Sequence, residues 1–262
     1  MKKILCFVLT VICLLAVAGC GGESKTEAPS QKQAVAEKVL RVGTDADYPP
    51  FEYFQEASKA FTGFDIELMR GIARELGYSR VEFVDLEFNN LLPSLKDGQV
   101  DAVISCMNIT EERKKVADFT EPYLDSVNVA VGPFGTKAAD ADVLKDKRIA
   151  VEVGSVHVKQ AKAYSDNVVE CGEVEDALKM VAEKKADFAI MDNYTARFYI
   201  TQNYSNKLTI MAELKDSKDA GIAIAVAKNN KELLDKLNAG LQNYRTSANF
   251  LQLRNSYFGK LK

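Results

Sequence analysis

A strand–helix–strand pattern occurs twice in this chain, and it constrains the fold more than any other feature. In the first half, short apolar runs at Val39–Gly43, Val81–Asp85 and Ala102–Ile104 alternate with helical patterns. The segment Gln99–Ile104 (Gln-Val-Asp-Ala-Val-Ile) also resembles Lys185–Ile190 (Lys-Ala-Asp-Phe-Ala-Ile), 86 positions later. Alternating strands and helices form largely parallel sheets, and an internal repeat predicts units of like construction. The sequence therefore predicts an α/β protein with two similar lobes.

The second series begins after a linking segment. Its predicted strands and helices, in chain order, are Arg148–Val153, Val156–Ala163, Val168–Glu170, Val174–Glu183 and Phe188–Met191. We expect the extended segments Val127–Val131 and Gly221–Ala227 to cross between the lobes, and helices near residues 231–244 and 247–258 to complete the first lobe. Lobe one is thus predicted at residues 38–130 and 223–262, and lobe two at 131–222, with the two crossing strands as a hinge.

The helix after the first strand has a clear apolar stripe. Ile66, Met69 and Ile72 recur at helical spacing. Asp65 is the predicted N-cap, and Gly77 the predicted end of the helix.

The N-terminus carries the pattern of an export signal. Two lysines precede an apolar run over residues 4–18, which is too short to span a bilayer comfortably. The run ends in Val-Ala-Gly-Cys at Cys20, a pattern typical of lipoprotein processing, so we expect residues 1–19 to be removed as a signal peptide and Cys20 to be lipidated. An uncleaved N-terminal anchor is the alternative. Residues 20–37 have almost nothing to bury and are predicted to form a flexible tether.

Composition excludes several functional classes. The formal net charge is −3 with both signs mixed, which argues against a nucleic-acid partner. No Cys/His cluster indicates a metal site, no glycine loop indicates bound phosphate, and no Ser-His-Asp motif is visible, so we predict no metal, cofactor or catalytic residue. Cys106 and Cys171 remain after signal removal; two free thiols are expected because the repeat places them in different lobes, and a single disulfide is the alternative.

The stretch Ile104–Asp118 is the strongest functional motif. Thr110 is a plausible N-cap, acids follow in the first helical turn, and Arg113 lies one turn in. The run Cys-Met-Asn-Ile-Thr-Glu-Glu-Arg over residues 106–113 resembles the signature Gly-Met-Ser/Thr-Ile-Thr-x-Glu-Arg of the amino-acid-binding proteins of bacterial ABC importers. The resemblance covers about residues 38–262.

This resemblance implies a periplasmic-binding-protein-like clamshell that captures an amino acid and delivers it to an ABC permease. Such a protein is expected to be a monomer outside the cytoplasm, here held on the cell membrane by its lipid. The residues Ser105–Cys106 and Met191–Asp192, which correspond in the repeat, lie just past predicted parallel strands, where open α/β sheets bind ligands.

The resemblance also implies how the α-carboxylate and α-ammonium groups are held. Arg113 would bind the carboxylate with its planar fork, helped by backbone N–H groups at Ser155 and Val156. A surface arginine paired with a neighbouring glutamate is the alternative. Asp192 would bind the ammonium group, joined by the carbonyl of Ser105 or Cys106 and by the side chain of Asn108. Alternatively, Asp192 simply caps the helix that follows it.

Four further residues correspond to those facing the ligand side chain in the family. Tyr48 and Phe88 match an aromatic pair that sandwiches the ligand, and Asp45 and Glu152 match positions that set its identity. Two carboxylates closing on a neutral ligand would repel each other and raise their pKa values, whereas a cation would relieve that repulsion. We therefore predict arginine, lysine or ornithine as ligand, with a neutral polar amino acid as the alternative.

Several residues depart from the family pattern, and two other functions are alternatives to amino-acid transport. Cys106, Asn108 and the Val156–His157 pair replace smaller or hydroxyl-bearing residues. A cyclohexadienyl (prephenate or arogenate) dehydratase-like enzyme on the same fold would use a cleft acid such as Glu152 as proton donor. A sensor domain of a larger receptor would need a separate partner, since no kinase region follows.

Overall fold

Two five-stranded sheets dominate the structure, a computed structural model that describes residues 37–136, 140–214 and 221–259. The strands of the first sheet are β1 (Val39–Thr44), β5 (Arg80–Asp85), β6 (Ala102–Val103), β7 (Ala117–Phe119) and β13 (Ala225–Ala227). Those of the second are β8 (Asn128–Pro133), β9 (Ile149–Glu152), β10 (Val168–Cys171), β11 (Phe188–Asp192) and β12 (Leu208–Glu213). The predicted α/β architecture is confirmed.

The two sheets have the same topology. Their orders are β5-β1-β6-β13-β7 and β10-β9-β11-β8-β12. In each sheet the first three strands are parallel, and the fourth is antiparallel to both its neighbours. These antiparallel strands, β13 and β8, come from the two segments predicted to cross between the lobes. The lobe boundaries at residues 130/131 and 222/223 stay a prediction.

Helices flank both sheets. They are α1 (Phe64–Glu75), α2 (Phe88–Lys96), α3 (Glu111–Lys114), α4 (Val156–Lys162), α5 (Val174–Ala182), α6 (Asn193–Tyr199), α7 (Lys231–Arg245) and α8 (Ala248–Phe258). A third, small sheet contains β2 (Asp47–Tyr48), β3 (Glu52–Gln55) and β4 (Ala60–Thr62). This small sheet, β7 and β12 were not predicted from the sequence.

Helix caps were predicted correctly in one case and wrongly in another. The Thr110 hydroxyl accepts a hydrogen bond from the Arg113 N–H at 3.1 Å, which confirms it as the N-cap of α3. Asp65, in contrast, lies inside α1, whose N-cap is Gly63 with φ 126°. A Cβ at Gly63 would lie 2.1 Å from the Phe51 carbonyl oxygen, so only glycine fits there. The Asp65 carboxylate is therefore released from capping and turns into the interior.

An equivalent ion pair in each lobe supports the internal repeat. Arg41 on β1 pairs with Asp101 just before β6 (Nη2 to Oδ1, 2.7 Å), and Arg148 beside β9 pairs with Asp187 just before β11 (2.8 Å). Both aspartates also accept the backbone N–H of their arginine partner. The same pair of residue types thus joins β1 to β6 in the first sheet and β9 to β11 in the second.

Each sheet buries alternate residues on opposite faces. On β9, Ile149 and Val151 join one apolar cluster while Ala150 joins another, the period of two that a sheet covered on both faces requires.

Cys106 and Cys171 are both free. No helix in the described residues is long and apolar enough to span a membrane. The predicted signal peptide, the lipidation site Cys20 and the tether before Glu37 lie outside the described residues.

Candidate functional site

The structure brings all eleven predicted site residues around one cavity. They are Asp45, Tyr48, Phe88, Ser105, Cys106, Asn108, Arg113, Glu152, Ser155, Val156 and Asp192. The cavity lies between the two sheets, and both sheets contribute residues to its lining.

The cavity lies where strands end and helices begin. Asp45 follows β1, Ser105 follows β6, Glu152 ends β9 and Asp192 ends β11. These strands are the central parallel strands of the two sheets, so their carboxyl ends face a common cleft. Each sheet therefore provides polar groups to one wall.

Arg113 marks one end of the cavity. Its guanidinium donates to the Asn108 carbonyl (2.7 Å) and to the Gly154 carbonyl (3.2 Å), and it lies over the Phe88 ring at 5.2 Å. Gly154 precedes Ser155, the N-cap of α4, so this contact joins the first lobe to the second. The N–H groups of the first turn of α4 have no acceptor within the helix. A guanidinium and such N–H groups together suit a carboxylate.

Asp192 occupies the opposite wall. Its Oδ1 accepts the N–H groups of Tyr194 (2.8 Å) and Thr195 (3.1 Å) and so caps α6. Its Oδ2 is buried and has no hydrogen-bond partner among the described residues. Burial raises the pKa of this carboxyl, an effect opposed by the bonds from Thr195. One oxygen therefore stabilises the helix while the other is available to a cation in the cavity.

Three carboxyl groups converge at a further place, and two of them, Asp45 and Glu152, line the cavity. Oxygens of Asp45, Asp47 and Glu152 lie within 4.8 Å of one another. Desolvation, followed by the charges of neighbouring acids, raises the pKa of Asp47 to about 8; desolvation raises that of Asp45 to about 7. The pKa of Glu152, which is 3% exposed, is also well above its usual range, through burial and then the charge of Asp47. Such a cluster favours a cationic group, and its hard oxygens would also suit a divalent cation.

Aromatic residues and a neutral histidine also line the cavity. Tyr48 is buried at the cavity, and Phe88 is partly buried. His157 Nε2 lies 3.2 Å from Asn128 Oδ1, and burial, with the charge of Arg113, lowers the pKa of His157 to about 3. The imidazole is therefore neutral at physiological pH.

Comparison with known proteins decides the family. The model for bacterial extracellular solute-binding proteins, family 3, matches residues 40–260. The chain belongs to this family.

Relatives of this solute-binding protein cover nearly its whole length. The chain is 29% identical to the arginine-binding extracellular protein ArtP of Bacillus subtilis (strain 168), with 98% of each chain covered. It is 32% identical to a putative ABC transporter arginine-binding protein 2 of Escherichia coli (strain K12), covering 87% of this chain and 93% of that one. The structure of an ancestral arginine-binding protein bound to arginine matches with a TM-score of 0.77 and 34% identity, over 84% of this chain and 98% of the other. The two-lobed clamshell expected from the sequence is confirmed.

Sequence reasoning missed several residues of this cleft. Asp47 belongs to the acidic cluster, and four further residues line the cavity: Glu52, Ser126, His157 and Ile222. Asp47 stands two positions after Asp45, beside the Pro49–Pro50 loop, and that proximity is the one signal in the sequence that could have found it.

Contacts outside the cavity also cross the cleft of the solute-binding protein. The Tyr199 hydroxyl, at the end of α6, donates to the Asp47 carbonyl at 3.0 Å. Together with the bond from Arg113 to Gly154, it holds the two walls against each other.

Proposed function

We propose that this solute-binding protein captures a cationic L-amino acid (arginine, lysine or ornithine) and delivers it to an ABC permease. The observation that carries the proposal is the convergence of Asp45, Asp47 and Glu152. Asp45 and Glu152 line the cavity that Arg113 and Asp192 also line. A cationic amino acid has one anionic and two cationic groups, and the cavity offers a partner of opposite charge to each.

The carboxylate and ammonium groups would be held from opposite walls. Arg113, with the N–H groups of Ser155 and Val156, suits the carboxylate. Asp192 Oδ2, with backbone carbonyls of Ser105 and Cys106, suits the ammonium group. An unpaired carboxylate in a closed cavity is costly, and a ligand ammonium group offsets that cost.

The ligand side chain would extend toward the acidic cluster. Burial and mutual repulsion raise the pKa values of these carboxyl groups, so they retain protons to higher pH than exposed carboxyl groups do. A guanidinium or ammonium group placed among them would lower their pKa values and release those protons. A neutral side chain would leave the repulsion in place. Tyr48 and Phe88 supply the aromatic surface against which a cation packs favourably.

Closure of the lobes follows from this division of contacts. Arg113 belongs to the first wall and Asp192 to the second, so one ligand contacts both only when the cleft is closed. Ligand therefore shifts the population toward the closed form, which the permease would recognise. The proposal includes a monomeric protein held outside the cytoplasm by lipid on Cys20.

Titration calorimetry tests the ligand class. We expect arginine, lysine or ornithine to bind at least about tenfold more tightly than glutamine, a difference of about 1.4 kcal/mol. Asp45→Asn should weaken arginine binding more than glutamine binding, while Asp97→Asn at the exposed end of α2 should change neither. Tight glutamine binding without arginine binding would rule out the cationic ligand. Adding Ca²⁺ or Mg²⁺ tests whether a metal ion competes for the same carboxyl groups.

A direct assay tests the dehydratase alternative. Glu152 is the acid whose raised pKa would suit a proton donor. Incubation with prephenate or arogenate should give no product. Formation of product that Glu152→Gln abolishes would replace the binding proposal with an enzymatic one.

A further inference from the structure

Two buried carboxyl groups beneath the cavity are not explained by any proposed ligand contact. Glu52 on β3 and Asp65 on α1 are 1% and 0% exposed. Glu52 borders the cavity, and Asp65 lies behind it. An isolated buried carboxylate is strongly disfavoured, so other interactions must stabilise these two groups in the interior.

Hydrogen bonds connect both groups to the loop after β6. Asp65 Oδ2 accepts the Cys106 N–H (2.8 Å) and the Tyr123 hydroxyl (2.6 Å). Glu52 Oε1 accepts the Ser105 hydroxyl (3.1 Å), whose oxygen in turn accepts the Asp45 N–H (3.0 Å). Each carboxyl group thus has one oxygen fully engaged.

The other two oxygens lack a donor. Glu52 Oε2 and Asp65 Oδ1 are buried and find no N–H or O–H donor in the described parts of the chain. A side-chain hydrogen bond between the two carboxyl groups contributes to the pKa shift of each. Two ionised carboxylates cannot form that bond, because each is only an acceptor. One proton between them supplies the missing donor.

We propose that Glu52 and Asp65 share a single proton in an acid–acid hydrogen bond, and that this pair positions the Ser105–Cys106 backbone for the ligand. The second half rests on the proposed function, in which this backbone contacts the ammonium group. Glu52 and Asp65 act here as positioning residues, through the loop that they hold.

The surroundings favour a retained proton. Besides burial and its partner Asp65, Glu52 is affected by the Ser105 hydroxyl and the charge of Asp45. Asp65 is affected by the Tyr123 hydroxyl, the Cys106 N–H and the charge of Asp192. Burial, then the charge of Asp65, raises the pKa of Glu52 well above its usual range. Burial also raises the pKa of Asp65, although the bonds from Tyr123 and Cys106 oppose the shift. Asp65 accepts two hydrogen bonds and Glu52 only one from groups outside the pair, so the ionised form is better stabilised on Asp65 and the proton on Glu52.

The loop that the pair holds has an unfavourable conformation. Cys106 has φ +43°, in the left-handed region that residues with a Cβ seldom adopt. The bond from its N–H to Asp65 stabilises that conformation. Loss of the shared proton would place two like charges in contact and loosen the support for Ser105 and Cys106.

The expected pH dependence has a defined sign. A carboxyl group with a raised pKa in the folded state stabilises that state at low pH, and the contribution is lost as pH rises toward the raised pKa. Affinity for the ligand should fall in the same alkaline range. Deprotonation of Asp45 and Asp47 acts in the opposite direction on a cationic ligand. The informative quantity is therefore the ratio of variant to wild-type affinity at each pH.

Glu52→Gln is the decisive variant, because its amide can donate to Asp65 and accept from Ser105 as a protonated carboxyl does. Near neutral pH this variant should bind arginine about as tightly as the wild type does. As pH rises, it should keep its affinity for arginine over the range in which the affinity of the wild type falls at least about tenfold. Asp65→Asn weakens the acceptor for the Cys106 N–H and the Tyr123 hydroxyl, so its affinity for arginine should be at least about tenfold lower at every pH.

Infrared spectroscopy of the unliganded protein tests the shared proton separately. The difference spectrum between wild type and Glu52→Gln should contain the carbonyl stretch of a protonated carboxylic acid; that between wild type and Glu56→Gln, an exposed glutamate, should not. Absence of this band at neutral pH, or an equal affinity loss by Glu52→Gln at every pH, would overturn the inference. If the band is present but no amino acid binds, the proposed function fails while the acid pair stands.

Discussion

The substitution Asp192→Asn should separate the two roles of this side chain. In the structure, Oδ1 caps α6 while Oδ2 is buried without a hydrogen-bond partner in the described chain. Asparagine retains an oxygen for the cap and replaces the second oxygen with an N–H₂ group. The cap should survive, whereas the ammonium group of a ligand would meet a donor in place of a negative charge.

The two roles differ in magnitude. Asparagine and aspartate are nearly equivalent N-caps, so the free energy of unfolding of the empty protein should change by less than about 1 kcal/mol. Removing one partner of a desolvated charge pair costs about 2–5 kcal/mol of binding. Affinity should therefore fall by roughly 30-fold to several thousand-fold. Thermal unfolding with and without saturating arginine measures both quantities together.

Controls distinguish capping from binding. Asp192→Ala should lose the ligand and also about 0.5–2 kcal/mol of stability. Ser247→Ala removes the cap of α8, whose Phe250 N–H bonds to the serine hydroxyl at 3.2 Å, and should leave affinity unchanged. If Asp192→Asn binds arginine as tightly as the wild type, the carboxylate is a cap alone and the assignment of the ammonium site is wrong.

Three other predictions concern the same cleft. Arg113→Lys retains the charge but loses the planar fork, so arginine affinity should fall by at least about tenfold in calorimetry; unchanged affinity would show that the fork is not used. Because burial raises the pKa of Asp45 to about 7 and of Asp47 to about 8, arginine affinity should increase between about pH 6 and pH 8 with release of protons, whereas a flat profile would contradict a contact with these carboxyl groups. The stability of the empty protein should fall over the same range, since these raised pKa values favour the protonated folded state. Tyr199→Phe removes one hydrogen bond made across the cleft and should weaken arginine binding about fivefold without lowering the stability of the unliganded protein. If the unliganded protein loses as much free energy of unfolding as the complex loses in binding, the bond is also present in the open form.

The repeated architecture was predictable because it is encoded locally. Central strands such as Ile149–Glu152 are apolar runs, and glycines with positive φ follow helices, as Gly77 and Gly98 do after α1 and α2. Short peripheral strands have no such signal. Glu52–Gln55 is only four residues long, and its pairing is set by contacts that periodicity does not report.

The site was predicted by resemblance, and its missed members depend on tertiary contacts. Asp65 has the sequence context of an N-cap, yet the close approach of the Phe51 carbonyl assigns that role to Gly63 and sends the carboxylate inward. Asp47 joins the acidic cluster through the path of a proline-containing loop, and Tyr199 fixes its backbone from the other lobe. The inward turn of Asp65 is not visible from spacing along the chain, and the only sequence signal for Asp47 is its position two residues after Asp45.

A calorimetric comparison of arginine with agmatine tests most directly whether opposite walls hold different ends of one ligand. Agmatine is arginine without its carboxylate. The wild type should prefer arginine by at least about thirtyfold, and Arg113→Ala should lose most of that preference and bind arginine more weakly. The preference should survive in Asp192→Asn, because that variant alters the other wall. If Arg113→Ala still prefers arginine by the wild-type factor, the carboxylate is bound elsewhere and the account of the cleft is wrong.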